Sequence, residues 1–156
     1  MRKRIISPTP AERGDQPEWL DPADLAEVEV TSEDPGFPIE QALLLTGSAG
    51  WRAGGPGPQT IRLIFPDPQP VHLILLDFDE AGVERTQEFQ LSWSSDLDGR
   101  PTEILRQQWN FSPSGATRQT EEIRVELARV ALLELTITPD IGGGDARATL
   151  ARMRVA

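Results

Sequence analysis

The chain has 156 residues, a formal net charge of −10 at pH 7, one His and no Cys. That length suits one domain with a sizeable core, while the missing Cys excludes a disulfide framework and thiol chemistry. A single His gives no support to Ser-His-Asp, Cys-His or His-based zinc chemistry, and so acidic a balance argues against nucleic acid or an anionic membrane surface as partner.

Residues 1–24 read as a polar, Pro-containing lead-in that is partly flexible at its start, and residues 25–156 as a single β-sandwich domain. Within the lead-in, Asp21-Pro22-Ala23-Asp24 has the composition of a turn or one helical turn that docks Trp19 on the domain. The basic start, Met1 to Arg4, has no secretory apolar region behind it, and no apolar run approaches the roughly 18 residues that cross a membrane. A cytoplasmic protein is the expectation.

From Ala26 onward, period-two alternation dominates. Ala26, Val28 and Val30 alternate with Glu27 and Glu29, and Ile61, Leu63 and Phe65 with Arg62 and Ile64. Ile74, Leu76 and Phe78 lie in a run that is apolar on both faces. Further strands follow around Phe89–Trp93, Leu105–Trp109, Ile123–Leu127, Leu133–Ile137 and Ala151–Val155. Residues 38–45 carry one short helix inside a long loop. Asp96-Leu97-Asp98-Gly99 reads as a hairpin turn in which Gly99 supplies a positive φ. Gly142-Gly143-Gly144 lacks the Lys and Ser/Thr of a phosphate loop. The pattern predicts an all-β protein, an eight-stranded antiparallel jelly-roll β-sandwich.

Alternating strand directions place the connections at residues 32–59, 80–85, 110–120 and 139–147 at one end of the sandwich. The connections at residues 66–70, 94–102 and 128–130 fall at the other. The first set is longer and richer in Gly and charge, so binding is expected there.

The segments SEDPGFPIEQAL, GWRAGGPGPQTIRLIF, DFDE and RTQEFQLSWSSDLDG, followed by Trp109, occur in this order and spacing. The chain so read resembles the discoidin (coagulation-factor C-type) domains of the galactose-binding-like superfamily, over Val28 to Ala156. The resemblance implies a sandwich whose loops bind a ligand, carbohydrate being the leading class, and a structural Ca²⁺ near the sandwich edge. This chain departs from many secreted members in lacking Cys, and from lectin and membrane-binding members in lacking Tyr and being acidic.

Trp51, Arg52, Arg85, Asn110, Phe111 and Arg118 are the candidate ligand-binding residues. An aromatic ring stacks on the apolar face of a sugar, and a guanidinium donates to hydroxyls or carboxylates. Trp51 has the alternative of plugging the sandwich end, Phe111 of capping the core, and Arg52 of pairing with Glu33, Asp34 or Glu40. Those three acids, with Asp140 and Asp145, are the candidate oxygen donors for Ca²⁺, which takes six to eight such ligands. The function expected is a non-catalytic carbohydrate-binding module. The alternative is an intracellular protein–protein interaction or assembly module, which exposed Ile64, Leu73 or Leu75 on an outer sheet face would favour.

Overall fold

The computed structural model describes residues 1–4 and 17–156. Its elements are α1 (Pro22–Leu25), β1 (Glu27–Val30), α2 (Glu40–Leu43), β2 (Trp51–Arg52), β3 (Gln59–Asp79), β4 (Arg85–Ser94), β5 (Thr102–Phe111), β6 (Arg118–Thr138), β7 (Thr149–Leu150) and β8 (Arg152–Val155). The expected flexible start of the lead-in lies largely outside the described residues. Its last part belongs to the domain: the Leu20 N–H donates to the Val155 carbonyl at 2.7 Å. Leu20 and Leu25 both pack on the core. Asp21 caps α1 by accepting from the Ala23 N–H, with Pro22 at the first helical position, where its missing N–H costs nothing.

The main sheet runs β1-β3-β6-β4-β5, and β8 joins the second half of β3. Here the structure corrects the expected strands. Two pairs read as separate strands are each one 21-residue strand, β3 and β6, paired antiparallel from Gln59↔Ile137 to Asp79↔Arg118. The expected connections at residues 66–70 and 128–130 are instead a corner within this ladder, marked by register shifts between Ile64 and Leu73. Pro66, Pro68 and Pro70 lack N–H donors, and a bulged corner is where a ladder tolerates that loss.

The corner turns one ladder into two layers. The first half of β3 and the second half of β6 lie with β1, β4 and β5; the other halves lie with β8. Ile61, Leu63, Leu133, Leu135, Phe89 and Leu91 face Ile74, Leu76, Phe78 and Met153, all at most 2 % exposed. The Phe78 and Phe89 rings, one from each layer, stack 5.5 Å apart. Each such side chain removed from water contributes roughly 1.5–3 kcal/mol.

The two ends fall where the alternation argument places them, because a strand that bends round a corner reverses as a loop would. Asp79, Arg118, Gln59 and Arg85 mark one end, and the β4–β5 hairpin with the corner marks the other. At that second end β8 is followed by Ala156, whose carbonyl accepts from the N–H groups of His72 and Leu73.

Two smaller expectations are corrected. Gly99 is not among the glycines with positive φ; the hairpin turn is held by the Asp96 carboxylate, which accepts from the Asp98 and Gly99 N–H groups. Leu73 and Leu75 are only 9 % and 7 % exposed and share a cleft with Trp19. Ile64 is half-buried beside Leu97 and Pro101 of the β4–β5 hairpin. Ile64, Leu73 and Leu75 therefore do not form the exposed apolar face that would have favoured an interaction module.

Candidate functional site

Four connections meet at the site-bearing end: residues 31–58, 80–84, 112–117 and 139–148. Backbone hydrogen bonds stitch them together: Glu80 N–H to Thr117 O at 2.7 Å, Ile141 N–H to Thr86 O at 2.9 Å, and Ala53 N–H to Ala148 O at 2.9 Å. The short β2–β7 pair adds Trp51↔Leu150 and Arg52↔Thr149. These bonds make a braced rim out of what would otherwise be four independent loops.

Trp51 is 1 % exposed, and its indole N–H donates to the Ser32 carbonyl at 3.1 Å. It is the plug of this end, with no ring face free for a ligand to stack on. Phe111 is fully buried and caps the core. Asn110 points to the outer face of the sheet, where its Oδ1 accepts from the Thr86 hydroxyl. Arg118 is turned to the outer face of the second layer and donates through two nitrogens to Asp77. That pairing holds the Asp77 carboxyl below its ordinary range against the opposing effect of burial, and raises Arg118. Of the six candidate ligand residues, the structure therefore brings together Arg52 and Arg85.

Arg52 is exposed and lies over the Phe37 ring, 5.9 Å from guanidinium carbon to ring centroid. It makes no ion pair with Glu33, Asp34 or Glu40 among the described residues. Arg85 is its opposite in character, with a side chain only 3 % exposed. Its Nη1 donates to the Arg147 carbonyl at 2.8 Å, and its Nη2 lies 3.1 Å from Glu80 Oε2. That ion pair is off hydrogen-bonding geometry, and Nε and Nη2 of Arg85 have no hydrogen-bond partner. Burial lowers the Arg85 pKa, Glu80 and Asp140 oppose that effect, and Arg52 adds to it.

These residues frame a cleft of about 460 Å³ whose wall includes Arg52, Glu80, Arg85, Asp140, Asp145 and Arg147. Gly143 and Gly144 complete it with φ of 83° and 100°, a backbone region that disfavours side chains. Three guanidinium groups and three carboxylates line this space, so its wall holds both donors and acceptors. Phe37, Glu80 and Arg147 are the site residues that sequence reasoning did not single out. Glu80 and Arg147 lie within the connections marked for binding. Phe37 carries no periodic pattern, and its only sequence sign is an aromatic placed between Gly36 and Pro38 in a turn.

The five carboxylates proposed for Ca²⁺ are not gathered. Glu33 accepts from the Ile39 N–H at the start of α2. Asp34 accepts from the Gly36 N–H and stands 4.0 Å from Arg147, Asp140 accepts from the Gly142 N–H, and Asp145 lines the cleft. Glu40 lies in the first turn of α2. Among the described residues, no three His, Asp or Glu side chains are grouped to hold a metal ion. Loop carboxylates that accept from a backbone N–H two residues on are making Asx turns, the local use of Asp that competes with metal ligation.

No protein-family model and no curated protein matches the sequence. Solved structures do match. A family 32 carbohydrate-binding module of NanJ from Clostridium perfringens, in complex with galactose, superposes with a TM-score of 0.64 at 13% identity, covering 88% of this chain and 96% of that one. A third family 32 module from a family 31 glycoside hydrolase of Clostridium perfringens gives 0.65 at 17% identity, covering 88% and 93%. The family 32 module of AlyQ, in complex with 4,5-unsaturated mannuronic acid, gives 0.59 at 18% identity, covering 85% and 95%. The likeness shows the fold, the antiparallel β-sandwich of these modules.

Proposed function

We propose that this protein is a non-catalytic carbohydrate-binding module whose ligand sits in the cleft between Arg52, Arg85 and Asp140. The observation that carries the reading is the mixed lining of donors and acceptors in that cleft, with the exposed Arg52 guanidinium steadied on Phe37. A sugar presents hydroxyls that both donate and accept, and such a rim satisfies both. The bracing bonds between the loops support it further, because a preorganised rim loses little freedom when it binds. The fold likeness to modules described in complex with sugars points the same way.

A binding role fits the chemistry better than catalysis. Glu80 is ion-paired with Arg85 and accepts from the Gly82 N–H, which commits both of its oxygens to holding the loop. A glycan array followed by calorimetry on wild type and Arg52→Ala tests the reading. Wild-type binding that weakens in the variant is expected; silence of the folded protein across a broad panel refutes it.

A further inference from the structure

A second cleft of about 390 Å³ adjoins the first. The two share Arg52 and Glu80 and nothing else, so these side chains are the partition between them. Each lies toward the lower end of the range for small-ligand pockets, roughly 300–1,000 Å³. Their linings differ. The first is walled mostly by charged groups, whereas the second offers Phe37, which is 39 % exposed, with Leu150, Ala49 and Ala151 beside Asp79.

Each cleft also has an unsatisfied buried polar group in its wall. In the first these are Nε and Nη2 of Arg85; in the second it is the Thr149 hydroxyl. More than nine-tenths of buried polar groups in folded proteins have a partner. Of the four described residues with unpartnered buried atoms (Arg85, Gln87, Gln119 and Thr149), Arg85 and Thr149 flank this one partition, which points to a ligand that visits both sides. The charge is balanced in the first cleft and acidic in the second, and the chain as a whole is acidic. An anionic sugar gains nothing from such a field.

Building on the carbohydrate reading above, we infer that the site is bipartite and selects a neutral oligosaccharide of at least two sugar rings. One ring is hydrogen-bonded in the charged cleft, the next lies against the open part of the Phe37 ring, and the linkage crosses Arg52. An apolar ring face meets the aromatic surface, and its edge hydroxyls reach Asp79 and Thr149.

Isothermal titration with matched mono-, di- and trisaccharides of galactose, mannose and N-acetylglucosamine, and with digalacturonic acid, tests this. In at least one neutral series the disaccharide is expected to bind about tenfold more tightly than its monosaccharide, equivalent to roughly 1.4 kcal/mol, with little further gain for the trisaccharide. Ala49→Trp, which fills the second cleft from its exposed rim, and Phe37→Ala should each bring that ratio close to one. A ratio measured on one sample is insensitive to any unfolded fraction. Equal affinity for mono- and disaccharide in every series, a ratio untouched by both variants, or tighter binding of digalacturonic acid overturns the inference while leaving carbohydrate binding intact. Silence toward every sugar overturns both.

Discussion

Replacing Arg85 by Met removes a guanidinium whose side chain is 3 % exposed but keeps most of its buried length. The Nη1 bond to the Arg147 carbonyl is lost, and Glu80, 10 % exposed in its side chain, is left without its cation. Removing one partner of a buried ion pair typically costs about 3–5 kcal/mol, since the other charge stays desolvated. Glu80 retains the Gly82 N–H, and the two unsatisfied nitrogens of Arg85 disappear with the substitution, so the lower end applies, about 3 kcal/mol. At roughly 2–4 °C per kcal/mol for a chain of this size, the melting temperature should fall by about 9 °C. The double variant Arg85→Met/Glu80→Gln no longer buries an unpaired charge and should recover most of that loss. Urea unfolding of wild type, both single variants and the double variant yields the coupling energy. A loss below about 1 kcal/mol in Arg85→Met, or a double variant no more stable than the single, refutes the claim that this pair holds the rim together.

The Asp77–Arg118 pair should show in acid. Asp77 has its pKa lowered in the folded state, so its contribution is fully present above the ordinary Asp value and is lost as pH falls through the depressed folded value. Arg118→Ala should therefore move the acid-unfolding midpoint upward, and an unchanged midpoint by circular dichroism would contradict the assignment. Trp51→Ala should cost about 3–5 kcal/mol in chemical denaturation as a large buried ring is lost; a near-neutral result would mean that the ring does not seal this end. Melting curves in Ca²⁺ and in chelator should superimpose, because Glu33, Asp34 and Asp140 accept from backbone N–H groups and no three acids are grouped for a metal among the described residues. A difference of several degrees would reveal a site they form together.

The fold was legible where polar and apolar residues alternate on half-buried strands, as at Ile61-Arg62-Leu63 and Leu133-Glu134-Leu135. It was misread where three prolines within five residues mimic a loop, at Pro66, Pro68 and Pro70. There the chain stays in the ladder by shifting register, an arrangement that only the partner strand β6 makes possible. Trp109 shows where strand parity alone does not give burial. Its period-two pattern suits an inward residue, yet it is 37 % exposed because β5 is an edge strand with no neighbour to cover it. At the site, parity of the strands located the right end, but residue type misassigned the aromatic. Trp51 and Phe111 flank strand ends and are drawn into the core by packing, whereas Phe37 is turned outward by the Asp34–Phe37 bridge. Asn110 and Arg118 were misplaced by a single step of alternation, which sends a side chain to the opposite face of a sheet.

The bonding of Ala156 beside His72 and Leu73 decides how this molecule is best handled on a surface. From Leu73 to Asp79 the strand climbs six residues at about 3.3 Å each, so roughly 20 Å of sandwich separates that anchor from the clefts. A bead or sensor chip coupled through the unique thiol of a His72→Cys variant would hold every copy with its rim turned toward solution. Captured through carboxylates at random, many copies would instead be blocked at Asp140 or Asp145, and true affinity would pass for partial occupancy.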